Sequence, residues 1–521
     1  MNIERVQRPE LVFGVVGPVG VDLDMIIEVI STQLKRQNYT FDVIHVTTLM
    51  KEIPSNIVLK DDNYFDRIKS RIEYADDICK RLARADALAA ITLSAIQSIR
   101  EVQHRKRGTP QSEIDVEEPL DSHAFIIRQF KRPDEIRLLR QIYGKLFFQI
   151  SAYGSPSDRE SQIYKEIKDS NFGAIDDMTA RCQTIELMSI DYSEAPNKFG
   201  QQIRETFPLA EVFIDGINRP NCEIMLNRFV NLIFGDNSIT LYHDEYGMYL
   251  ARSASFRSSD LSRQVGAAIF RATGEIASVG CNEVPKYGGG TYWCGDLNDA
   301  RDFAIGEDPN ERMKREILFE IIDVLFKKKK LSRELSEIGT TKEIMNALMN
   351  DDTGLRDSKV MDLLEFGRVI HAEMSAISDA ARLGIPINGG VLYSTTFPCH
   401  ICAKHIVAAG IDRVVFLEPY PKSYAKELHW DSIEVEGDAV SDKVRFEPFV
   451  GISPFRYRDF FEKGRRKDDN GKVRQWKDGE ATPIVEIYKP IYTTLETLVS
   501  SDLKSEIRRL REQLKPSPEA S

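Results

Sequence analysis

Two short clusters constrain this chain more than any other feature: His371-Ala372-Glu373 and Pro398-Cys399-His400-Ile401-Cys402. For one imidazole and two thiols to share an ion, the fold must bring these separated segments together. The surrounding pattern predicts a helix over 371–383, a strand over 390–394, a helix over 402–409 and a strand over 413–417. Upstream, 264–270 and 275–280 read as a hairpin turning at Thr273-Gly274. This alternation predicts a layered α/β domain with both clusters at helix starts.

The residue types specify the chemistry. Cys399 and Cys402 sit three apart directly after Pro398, and proline is favoured at the first helical position, which predicts both thiols in one first turn. A helix N-terminus lowers a thiol pKa and so favours the ligating thiolate. His371 supplies the third ligand, and three protein ligands leave the open position of a catalytic zinc rather than a closed structural one. Glu373 lies two residues from His371, about 200° around a helix, where chelation beside the imidazole is disfavoured. It is placed instead as a proton shuttle beside a reacting water. Taken singly, Cys-x-x-Cys is equally a redox pair or half a structural knuckle, and His-Ala-Glu an ordinary helix start. Their joint appearance favours hydrolysis assisted by Zn2+. His400, His405, His429 and Cys294 are not needed as ligands.

At 521 residues the chain exceeds one core. The first segment reads as strand 11–16, glycine turn 17–20 and helix, followed by strand candidates at 41–47, 124–129, 146–152 and 212–217. Helices are predicted over 64–81, 85–103 and 132–143, which gives a doubly wound parallel α/β domain. Three parts are expected: 1–235, 236–450 with a helical insertion at about 296–367, and a 451–521 extension. The extension ends in a helix carrying Leu495, Leu498, Leu503, Ile507, Leu510 and Leu514. The insertion reads by default as surface decoration or an assembly contact.

Composition narrows the function. No apolar run reaches the roughly 18 residues of a membrane span, and Met1-Asn2-Ile3-Glu4-Arg5 lacks a signal-peptide layout. Seven cysteines argue against a disulfide framework, so a cytoplasmic protein with free thiols is expected. A net charge of −11 is the wrong sign for a broad surface tracking a polyphosphate backbone. Lys327-Lys328-Lys329-Lys330 reads as a solvated helix end. A small anionic substrate in a focused pocket is the better match.

The stretch 249–436, apart from the insertion, resembles the deoxycytidylate deaminase family. The resemblance rests on Ala251-Arg252-Ser253, Ser262-Arg263-Gln264-Val265-Gly266-Ala267, Gly280-Cys281-Asn282-Glu283-Val284-Pro285 and the two metal clusters. It implies a cytidine-deaminase-like α/β/α domain with Glu373 as the catalytic acid/base and His371, Cys399 and Cys402 on zinc. It also implies that Asn282 holds the sugar, and that Arg252 or Arg263 serves the phosphate or the fold. Segments Glu365-Phe366-Gly367-Arg368-Val369-Ile370 and Pro448-Phe449-Val450-Gly451-Ile452 are similar to those of bacterial anti-phage deoxycytidylate deaminases. Those enzymes convert dCMP or dCTP to the uracil form, and some are restrained by a small RNA. Hexamers are common in the family. Transfer-RNA adenosine deaminases and polynucleotide cytidine deaminases share the metal pattern and stay open as an alternative, as does a non-catalytic nucleotide sensor.

The N-terminal domain resembles a P-loop nucleotide kinase with a degenerate loop, Gly17-Pro18-Val19-Gly20-Val21-Asp22-Leu23-Asp24. Leu23 stands where lysine is required and Asp24 where the magnesium-binding hydroxyl belongs, which excludes a working kinase. Gly17 and Gly20 remain candidates for nucleotide binding, alongside a purely structural reading.

Overall fold

The computed structural model describes residues 4–192, 199–350, 355, 358–419, 423–436, 442–477 and 479–513. The strands are β1 (Leu11–Val16), β2 (Thr40–His45), β3 (His123–Arg128), β4 (Phe147–Tyr153), β5 (Val212–Asp215) and β6 (Gly266–Phe270). They continue as β7 (Ile276–Cys281), β8 (Val391–Thr396), β9 (Arg413–Glu418), β10 (Ile433–Val435), β11 (Val444–Pro448) and β12 (Gly451–Ile452). The chain forms two compact units: residues up to Glu245 together with those from Val450 onward, and Tyr246–Phe449.

In the first unit the sheet order is β12-β5-β4-β1-β3-β2. Strands β1 to β5 run parallel, and β12 pairs antiparallel with β5 through Gly451 and Phe213. Parallel strands covered on both faces read as unbroken apolar runs, which is why Leu11-Val12-Phe13-Gly14-Val15-Val16 is buried throughout. Phe13, Phe125, Phe147, Phe148, Phe213 and Phe229 fill the interior, with the Phe13 and Phe148 rings stacked at 5.4 Å. The order reverses on either side of β1, which makes its C-terminal end the switch point of the sheet. There the chain turns through Gly17–Gly20 into helix Leu23–Arg36, capped by Asp22 through Met25 N–H.

The described residues of the 451–521 segment, expected as an extension, pack into this first unit. Its helix Tyr492–Gln513 lies on helix Ala87–Lys106. Arg100, fully buried, donates to Glu10 and Glu496, each at 2.9 Å. Leu503 and Leu510 are buried, Leu498 is exposed, and Leu514 lies outside the described residues. No helix among the described residues is long and apolar enough to cross a membrane.

The second unit carries the sheet β10-β11-β9-β8-β6-β7, with β8, β9, β10 and β11 parallel and the β6–β7 hairpin antiparallel as expected. Helix Ala372–Leu383 packs on β7 and β6. Gly280 permits that approach. A Cβ there would collide with the carbonyl oxygen of Ala372 and lie 2.6 Å from the Ala376 nitrogen. The region expected as an insertion contributes helix Asp302–Ile305 and the helices Pro309–Lys327, Arg333–Glu337 and Thr341–Asn350, the last three packed around Leu318, Ile322, Ile344 and Met345. The lysine run caps the second of these and is exposed, as its solvated-end reading requires.

Candidate active site

Both metal clusters sit at helix starts, each through a residue that caps its helix from outside. His371 is the N-cap of helix Ala372–Leu383, with extended backbone at φ −67° and ψ 156°. Cys399 is the N-cap of helix His400–Ala408, so Pro398 precedes the cap and does not occupy the first helical position as expected. The physical reason is that Cys399 itself terminates the helix, its Sγ accepting the Cys402 N–H at 3.5 Å in the manner of a capping hydroxyl.

His371 Nδ1 lies 3.3 Å from both Cys399 Sγ and Cys402 Sγ. All three atoms fall within 4.8 Å of one another, and among the described residues this is the group able to hold a metal ion. Zinc fits. Zn–N and Zn–S bonds at a tetrahedral angle set ligand atoms about 3.5 Å apart, close to the spacing found. The electrostatics prepare the donors as well. Cys399 is held at about 4, chiefly by the hydrogen bond from Cys402, with burial opposing and His371 assisting. That same bond pushes Cys402 well up, reinforced by burial. Burial works against the His371 imidazolium, yet the bond to Cys399 and its charge raise the His371 pKa.

Glu373 is buried at 3% exposure and is not one of the three residues of the metal group. Its Oε1 accepts from Ser394 Oγ at 3.3 Å on β8, and its Oε2 accepts from Cys402 Sγ at 3.4 Å. Burial raises its pKa, with His371 pulling the other way. A carboxyl poised to hold a proton beside three metal donors suits acid/base work.

His371, Glu373 and Cys399 line a cavity of about 170 Å³. Asn282 and Arg263 line it too. The Asn282 amide donates to Arg263 O at 2.8 Å and its oxygen accepts from Val265 N–H at 2.7 Å, so it fixes the 263–265 backbone at the wall. Arg263 is exposed at the cavity, whereas Arg252 is not among the lining residues and stacks over Phe256 at 5.1 Å. Both arginines act electrostatically on Glu418, whose pKa burial raises.

Several residues escaped the sequence reading. Glu283, 1% exposed, accepts from Ser259 N–H and Oγ through one oxygen and from Val284 N–H through the other, anchoring the loop that carries Asp260 and Arg263. Asp302, Asp308 and Asn310 reach the cavity from the 296–367 region, which corrects its reading as surface decoration. Asp302 is paired with Arg368 at 2.8 Å. A lone carboxylate in an insertion gives no periodic or spacing signal. Gly17 and Gly20 belong to the first unit and form their expected turn, with Gly20 at φ 97°. Leu23 is not a vacant phosphate contact but a core residue at 4% exposure.

Residues 241–418 match the family model described as "Cytidine and deoxycytidylate deaminase zinc-binding region". ComE operon protein 2 of Bacillus subtilis (strain 168) is 45% identical over 62 residues, 12% of this chain and 33% of that protein. Deoxycytidylate deaminase of Enterobacteria phage T2 is 45% identical over 64 residues, 12% of this chain and 32% of that protein. A probable deoxycytidylate deaminase of Drosophila melanogaster is 28% identical over 200 residues, 38% of this chain and 71% of that protein. The first two matches thus span about a third of each relative's length. Residues 241–418 are thus similar to the zinc-binding region of the cytidine and deoxycytidylate deaminases, and zinc is the metal that His371, Cys399 and Cys402 fit.

Proposed function

We propose that the second unit hydrolytically deaminates free deoxycytidine nucleotides, dCMP or dCTP, to the uracil form. The observation that carries this reading is the buried Glu373 carboxylate beside the His371, Cys399 and Cys402 donors on the wall of one cavity. His371, Cys399 and Cys402 would hold the zinc, which when bound would supply the Lewis acidity that makes water nucleophilic at neutral pH. Glu373 takes one proton from the water as its oxygen adds to C4 and passes it to the adjoining ring nitrogen; it then takes the remaining proton from the new C4 hydroxyl and gives it to the amine, so that the C4–N bond breaks, ammonia leaves and the C4 carbonyl forms. Its raised pKa favours holding that proton between the two transfers. Ser394 Oγ fixes Oε1, while Oε2 lies against Cys402 Sγ and so beside the metal donors.

Asn282 spends one donor and one acceptor on the backbone, and its second amide hydrogen and second lone pair remain available to a sugar hydroxyl. Arg263 at the cavity serves the phosphate, with Arg252 assisting through the charge near Glu418. A free nucleotide is favoured over a polynucleotide by the net charge of −11 and by Asp260, Asp302 and Asp308 around the cavity.

The first unit is read as a P-loop kinase-like fold without kinase activity. Its strand, glycine turn and helix at the β1 switch point support this, and Leu23 in place of lysine removes the chemistry. The resemblance of 365–370 and 448–452 to anti-phage enzymes extends the proposal to depletion of deoxycytidine nucleotides during infection. Plating phage on cells expressing the wild type and Glu373→Gln tests that extension: equal plaque counts would remove it. The activity itself is tested by incubating zinc-loaded protein with cytidine, dCMP, dCTP, CTP and single-stranded DNA and separating products by chromatography. Deamination of the oligonucleotide alone would replace this reading with the polynucleotide one.

A further inference from the structure

The turn at the C-terminal end of β1 already holds an anion, and the anion is part of the chain. Val19 N–H donates to Asp191 Oδ2 at 2.6 Å, and Lys131 Nζ donates to Asp191 Oδ1 at 2.5 Å and to Gly17 O at 2.8 Å. Both charged side chains are sequestered, Asp191 at 1% and Lys131 at 8% exposure. A loop amide and an ammonium converging on two oxygens are the donors that hold a phosphoryl group, and a carboxylate fills the same place. The lysine missing from the loop itself is thus replaced from another element, the segment entering helix Pro133–Tyr143.

The occupant sits at some disadvantage. Asp191 lies in the last turn of helix Asp177–Tyr192, where the macrodipole disfavours negative charge, and no basic residue shares that turn. Burying an ion pair also forfeits hydration that a packed apolar pair would not need. Gly20 at φ 97° brings the turn against helix Pro156–Ser170, where a Cβ would lie 2.8 Å from that of Arg159. The place where the strand order reverses is, in sheets of this kind, where ligands bind.

We infer that Val19 N–H and Lys131 Nζ form an oxyanion cradle, that Asp191 is its built-in occupant, and that a phosphate-bearing anion competes with Asp191 for it. Binding of that anion releases the C-terminal turn of helix Asp177–Tyr192. The inference rests on the P-loop-like reading of the first unit and is independent of the deaminase reading, because every residue in it belongs to the first unit.

Inorganic tripolyphosphate is the probe, with full-length protein and calorimetry as the readout. Asp191→Asn removes the competing charge and should bind tripolyphosphate at least tenfold more tightly than the wild type; Asp191→Asn with Lys131→Met should lose the gain. Equal binding by Asp191→Asn and the wild type, or none by either, overturns the cradle, and a gain retained in the double variant overturns the role of Lys131. Should Asp191→Asn fail to fold, hydrogen exchange on the wild type decides. Tripolyphosphate, against chloride at matched ionic strength, should slow exchange in residues 17–21 and speed it in residues 186–192, and no change in either segment overturns the inference. A parallel arm with ATP assigns the source: tighter binding than tripolyphosphate identifies a nucleotide, and equal binding a free polyphosphate.

Discussion

Glu373, Ser394 and the three metal donors form a set whose members differ in how visible they are in the sequence. His371, Glu373, Cys399 and Cys402 are legible because local spacing fixes which side chains share a helix start. Ser394 is not, since a serine inside an apolar strand reads only as a tolerated polar residue until β8 places it 3.3 Å from Glu373. Glu373→Gln keeps the shape and removes the proton acceptor, so turnover should fall by at least about 10²-fold while zinc content is retained. Activity and metal analysis on the same preparation check this. A second expectation concerns the metal-free protein. A depressed thiol pKa favours the folded state above the unfolded value near about 8.5 and loses that contribution as pH falls through the folded value. Cys399, held at about 4, should therefore keep its ultraviolet thiolate absorbance on acidification from neutrality and lose it near that value. A midpoint in the ordinary thiol range would contradict the hydrogen-bonded arrangement.

The elements that seat these residues depend on close backbone approach. Helix Ala372–Leu383 rests on β7 at Gly280, where any Cβ meets the Ala372 carbonyl. Gly280→Ala should destabilise the protein by about 1–3 kcal/mol through overpacking and depress activity by shifting His371, read by thermal unfolding and turnover together. Strands β1, β3 and β4 were legible as apolar runs, and the β6–β7 hairpin by its turn. The two-residue β12 was not, because so short an edge strand carries no period. Helix Asp177–Tyr192 was equally silent, with apolar residues spread around it rather than along one stripe. The walls supplied by Asp302, Asp308 and Asn310 are fixed by tertiary packing of the 296–367 region, which local pattern does not encode.

At the scale of the molecule, the chain completes its first unit only after building the second, since residues from Val450 onward return to it. Arg100 records this long-range closure: its partners Glu10 and Glu496 lie 90 and 396 residues away, a relation no window of sequence reveals. Removing one partner of such a buried network strands the other charge. Glu496→Ala should cost about 3–5 kcal/mol in denaturant unfolding, and a loss under about 1 kcal/mol would contradict the burial of the triad. The second unit is proposed to turn free deoxycytidine nucleotides into uracil nucleotides through Glu373. The most direct test is the release of ammonia from dCMP and dCTP by zinc-replete protein. One ammonia should appear per dUMP or dUTP formed, with release by Glu373→Gln at least about 10²-fold slower; absence of ammonia from both nucleotides, or undiminished release by the variant, would contradict the proposed reaction.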